Sequence, residues 1–173
     1  MKTKTLVTSS LLVALGVILS LVTPFSLFMG GSLTLFSMLP IVMVGYLYGL
    51  KPGIIAGVVY GLIGCMIKPN IYYPMQFVVD YILAFGALGL SGLFYKSKSK
   101  YALLYGYLLG VFGRYVFACL SGYLFFAEYA GDANVVWYTV SYNATYIVPE
   151  AVLTILILPV VTYTIKSMNL KEN

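Results

Sequence analysis

Long uninterrupted apolar runs dominate this chain, and runs of that kind leave few folds open. The stretches LLVALGVILSLV (11–22) and IIAGVVYGLIGCMI (54–67) contain no charge and do not alternate between apolar and polar residues. A membrane β-barrel would need alternating segments of about ten residues. A spanning helix needs about 20 mostly apolar residues in succession, and these runs fit that requirement. Only 9% of the 173 residues are charged and 61% are hydrophobic, with a mean hydropathy of +0.96; a soluble domain carries about 25% charged residues. The expected fold is an all-α integral membrane protein, a single domain over residues 1–173 with six transmembrane helices.

The apolar segments fall at about 5–24, 33–50, 53–67, 75–95, 101–126 and 138–165. Pro40 is expected to kink the second, and Lys51-Pro52-Gly53 to form a tight turn before the third. An uncharged loop covers Phe25 to Ser32, including Gly30-Gly31. The N-terminal lysines and the apolar run behind them have the outline of a signal peptide. That run passes Leu21 without a cleavage site, so it is expected to be a retained spanning helix.

With the N-terminus in the cytoplasm, Lys2, Lys4, Lys51, Lys96, Lys98, Lys100, Lys166 and Lys171 all lie inside, and only Lys68 lies outside. This bias predicts an N-in, C-in topology. It also explains the net charge of +5 without any role for nucleic acid. The two halves share no repeat of the kind found in inverted-repeat carriers.

The chain has no histidine, and Cys65 and Cys119 stand apart in apolar runs. Zinc, haem and iron–sulfur sites lack ligands, so no cofactor is expected. Buried free thiols are favoured over a disulfide. No Gly-x4-Gly-Lys-Ser/Thr loop is present for ATP. With no acidic pair in one segment, acid–base or metal catalysis has little to work with. A channel or a structural subunit stays open as an alternative.

Three charges do enter the apolar segments: Asp80, Arg114 and Glu150. Each costs several kcal/mol in hydrocarbon, about 2.5–3.5 on insertion scales, and marks a functional position. At 1.5 Å per residue, Asp80 lies roughly 8 Å from the outer end of its segment and Glu150 roughly 16–18 Å down its own. Gln76 is one turn from Asp80, Ser121 is seven residues beyond Arg114, and Asn143, Tyr146 and Glu150 share a stripe. If one carboxylate balances Arg114, the site keeps about one negative charge and suits a monocation. Tyr81, Tyr138, Tyr142, Phe125, Phe126 and Trp137 offer aromatic faces for a flat or cationic ligand. The plainer alternative is an Asp80–Arg114 interhelical ion pair with Glu150 hydrogen-bonded to a neighbouring helix. On the first segment, Ser10-x-x-x-Ala14 gives a small-residue face that another helix could approach closely.

The strings Gly30-Gly31-Ser32-Leu33-Thr34, Tyr73-Pro74-Met75-Gln76 with Asp80-Tyr81, and Tyr138-Thr139-Val140-Ser141-Tyr142-Asn143 resemble the thiamine-specific substrate-binding (S) components of energy-coupling-factor transporters. The resemblance covers nearly the whole chain. It implies a non-enzymatic vitamin-capture subunit in the lipid bilayer of a bacterial plasma membrane, working with a transmembrane coupling protein and two cytoplasmic ATPases. By resemblance, Asp80, Tyr81, Arg114, Gly122, Phe126, Tyr138 and Asn143 contact thiamine, while Ser10 and Ala14 meet the coupling protein. The residues add Gln76, Ser121 and Glu150 as further ligand candidates. The chain departs from the family pattern at Ala118, in place of a histidine, and at Phe126, in place of a tryptophan in some members. These departures leave a thiamine precursor, or another cationic or neutral heterocycle, as the alternative ligand.

Overall fold

The computed structural model describes residues 2–27 and 31–168; Gly30 and Lys171, used in the sequence reading, lie outside the described residues. Helix α1 (Thr3–Leu21) leads through a two-residue antiparallel pair, β1 (Phe25–Ser26) with β2 (Ser32–Leu33), to α2 (Met38–Tyr48). Then follow α3 (Leu50–Ile67), a composite helix α4 (Pro74–Phe94), α5 (Ala102–Phe125) and α6 (Val135–Ser167). Five of these helices are long and apolar enough to cross a membrane. The chain is an integral membrane protein.

The sixth, α2, has 11 residues, roughly 16 Å, which is short of the hydrocarbon thickness of about 30 Å. Its residues are almost all buried, so it forms the centre of the bundle. The expected segment 33–50 is shortened because Ser32–Leu33 pairs as a strand and Phe36 adopts φ 60°, which delays the helix start to Met38.

Both proline expectations are corrected. Pro40 occupies the first turn of α2, and Pro52 the first turn of α3. A first-turn residue has no intrahelical use for its N–H, so proline neither kinks nor breaks there. The bend between the helices falls instead at Gly49, whose φ of +98° suits a residue without a side chain. Lys51-Pro52-Gly53 is helical, not a turn.

Helix α4 is irregular along its length. It opens with one α-turn, Pro74–Gln76, widens to a π-helical stretch over Phe77–Leu83, and tightens to 3₁₀ geometry over Ala87–Phe94. It can lie unusually close to α3 because glycines line the contact. A methyl group on Gly61 would come within 1.9 Å of the Tyr81 carbonyl oxygen. Ser91, fully buried, donates to the Val42 carbonyl at 2.9 Å and ties the tight half of α4 to α2. Both cysteines are free thiols.

Candidate ligand-binding site

A cavity of about 210 Å³ opens at the end of the bundle where α1 and α3 finish and α4 and α6 begin. Its polar floor comes from the π-helical stretch of α4. A π turn holds an extra residue and interrupts the regular ladder, which is why such turns recur at functional sites. Here it carries Asp80 and Tyr81 into the cavity wall. The Tyr81 hydroxyl accepts from the Asn70 amide at 3.2 Å, fastening the loop after α3 to this turn.

Gln76 is 3% exposed. Its Nε2 donates to Asp80 Oδ2 at 3.2 Å and to the Asn70 carbonyl at 2.8 Å. Its Oε1 accepts from the Tyr72 and Tyr73 amides at 2.8 and 3.4 Å, capping the start of α4. Opposite stands Arg114 on α5, its guanidinium carbon 4.6 Å from the centre of the Phe85 ring. No ion pair joins Arg114 to Asp80, and Arg114 Nη1 is buried without a hydrogen-bond partner. The buried Ser121 hydroxyl faces Asp80 without a well-formed hydrogen bond.

Helix α6 closes the third wall. Asn143 donates from Nδ2 to the Thr139 carbonyl at 2.9 Å and to the Ala118 carbonyl at 3.4 Å, and its Oδ1 accepts from the Tyr146 hydroxyl. Gly122 is required where α5 meets α6, since a methyl group there would lie 2.1 Å from Thr139 Cγ2. Tyr138 and Tyr142 stack at 6.1 Å, and the Tyr142 hydroxyl accepts from the Gly31 amide at 3.2 Å. Phe126 joins the rim, edge-on to Tyr72 at 5.8 Å.

Asp80, Tyr81, Arg114, Gly122, Phe126, Tyr138, Asn143, Gln76 and Ser121 therefore line one cavity. Glu150 does not. It is 1% exposed and accepts from Thr34 Oγ1 at 2.7 Å, Ser37 Oγ at 2.9 Å and the Met38 amide at 3.3 Å. Those donors cluster at the N-terminus of α2, where orphan amides and the helix dipole favour a carboxylate. This corrects the charge expectation: Asp80 is the one acid among the lining residues, beside the bases Arg114 and Lys68, so the cavity keeps no surplus negative charge. Trp137 is corrected as well, being 72% exposed and facing away from the cavity.

Sequence reasoning missed Thr34 and Ser37, which line the cavity from the segment before α2, and Phe85, which carries Arg114. The spacing of Phe85 and Tyr81 on α4 was the available signal. Ser10 and Ala14 are exposed on α1, away from the buried face formed by Thr5, Ser9, Val13 and Gly16.

Fold and cavity define a class: an integral membrane protein of apolar helices around an aromatic-walled chamber that opens at one end and holds a half-buried acid and base. The model of the thiamine transporter protein family (Thia_YuaJ) matches residues 6–170, and the chain belongs to that family. It is similar to the thiamine transporter ThiT of Bacillus subtilis, 34% identical over 169 residues that cover 88% of this chain and 87% of the relative. It is also similar to ThiT of Lacticaseibacillus paracasei, 28% identical over 142 residues, covering 72% and 70%. A solved structure of ThiT from Listeria monocytogenes shares the fold, with a TM-score of 0.79 at 20% identity over 96% of each chain.

Proposed function

We propose that this chain is the thiamine-binding S component of an energy-coupling-factor transporter, capturing the vitamin outside a bacterial plasma membrane. The observation that carries this reading is a half-buried carboxylate, Asp80, with no cationic partner in a cavity walled by aromatic rings. Thiamine is a cation with two flat heterocycles, and its aminopyrimidine offers both donors and acceptors. Asp80 supplies the countercharge for the thiazolium, and the unpartnered Arg114 Nη1 supplies a donor for a ring nitrogen. The tyrosines and Phe126 give stacking faces. Family membership and the names of both curated relatives support the same ligand.

The orientation we propose is N-in and C-in, with the cavity toward the exterior. The coupling protein would approach α1 at Ser10 and Ala14, whose small side chains permit close helix contact, and its ATPases would supply the energy. Capture and delivery require a lower affinity in the coupled state. The test is calorimetric titration of the purified chain with thiamine. Tight binding that falls by about 2–4 kcal/mol, roughly 30- to 1000-fold, in Asp80→Asn is expected. A folded sample that takes up no thiamine overturns the reading, and a thermal-shift screen of related heterocycles then identifies the alternative ligand.

A further inference from the structure

Gln76 lines the cavity, yet its hydrogen-bonding capacity is already spent. A primary amide has two donor hydrogens and two acceptor lone pairs. Nε2 uses both hydrogens, on Asn70 O and Asp80 Oδ2, and Oε1 takes both backbone amides, Tyr72 and Tyr73. The orientation is fixed by chemistry: turning the amide over would face NH₂ toward two N–H groups and oxygen toward a carbonyl and a carboxylate. Nothing is left with which Gln76 could bind a ligand polar group.

From this we infer that Gln76 is a positioning residue for Asp80, and not a ligand contact. It fixes one carboxylate oxygen as an acceptor and leaves the other edge of Asp80 for the guest. Through the same amide it ties that carboxylate to the loop 70–73, whose Tyr72 meets the ring of the cavity-lining Phe126. The inference rests on the thiamine-binding reading above.

The experiment is a double-mutant cycle on the full chain in detergent, combining Gln76→Leu with Asp80→Asn. Titrations use thiamine and its neutral isostere, in which a thiophene ring replaces the thiazolium. A hydrogen bond to a charged group predicts that Gln76→Leu weakens thiamine about 10- to 100-fold. The neutral isostere should change less than about threefold, because it makes little use of the carboxylate charge. In the Asp80→Asn background, Gln76→Leu should cost thiamine nothing further. Equal losses for both ligands, or additive losses in the cycle, overturn the inference, since a direct contact or a merely structural role gives those results. Where Gln76→Leu does not fold, Gln76→Met, nearer in length, enters the same cycle under the same criteria. Failure of the parent chain to bind thiamine at all would instead sink the ligand assignment.

Discussion

The guanidinium of Arg114 rests over the ring of Phe85, 4.6 Å from its centre, and does not pair with Asp80. Phe85 is itself held edge-to-face by Tyr60 at 5.1 Å. This aromatic seat keeps two opposite charges apart in one small cavity. A cation over a ring gains about 0.5–2 kcal/mol, which favours the seated position of the arginine over the ion pair by that amount.

Replacing Phe85 with leucine removes the seat and lets Arg114 turn toward Asp80, in competition with a cationic ligand. Thiamine affinity should fall about 2- to 30-fold in calorimetric titration. Unchanged affinity would show that the ring does not restrain the arginine.

Glu150 should matter chiefly for stability. In Glu150→Ala, the Met38 amide loses its acceptor in a buried place, and of the Thr34 and Ser37 hydroxyls, 2.7 Å apart, only one can turn to the other. Each orphaned group costs about 1–3 kcal/mol. Thermal unfolding in detergent should therefore occur well below the parent temperature, with Glu150→Gln, which keeps an acceptor oxygen, in between.

The contact of α3 with α4 should be sensitive at one glycine and tolerant at another. Gly61→Ala drives a methyl group against the Tyr81 carbonyl at 1.9 Å, in the stretch that also carries Asp80. At Gly86 the added methyl would only touch Val58 at 3.4 Å. The first substitution should abolish high-affinity thiamine binding and the second should preserve it, as followed by intrinsic fluorescence titration.

Ala14 faces outward on α1, roughly 9 Å along the helix axis from Ser20, the nearest cavity-lining residue of that helix. Ala14→Trp should abolish thiamine uptake by cells carrying the complete transporter and leave binding by the isolated chain unaltered. A parallel loss of binding would mean that the two faces are not separate.

Asp80 and Arg114 were legible in the sequence because a charge inside an apolar run has few explanations. The role of Glu150 was not, since its partners Thr34 and Ser37 lie more than a hundred positions upstream and carry ordinary hydroxyls. Trp137 illustrates the limit of depth as a guide. It sits one residue before Tyr138, and about 100° of helical rotation separates a ring in the cavity from one at the surface. The π-helical turn was equally hidden, because FVVDYIL has too little polar contrast to reveal its winding.

That turn makes the recognition surface a matter of residue count as much as residue type. Deleting one apolar residue from Phe77–Leu83, with every polar group retained, would let the helix rewind regularly. A valine lost between Gln76 and Asp80 would leave them three residues apart where they now stand four, so the amide would meet the acid from another angle although neither residue had changed.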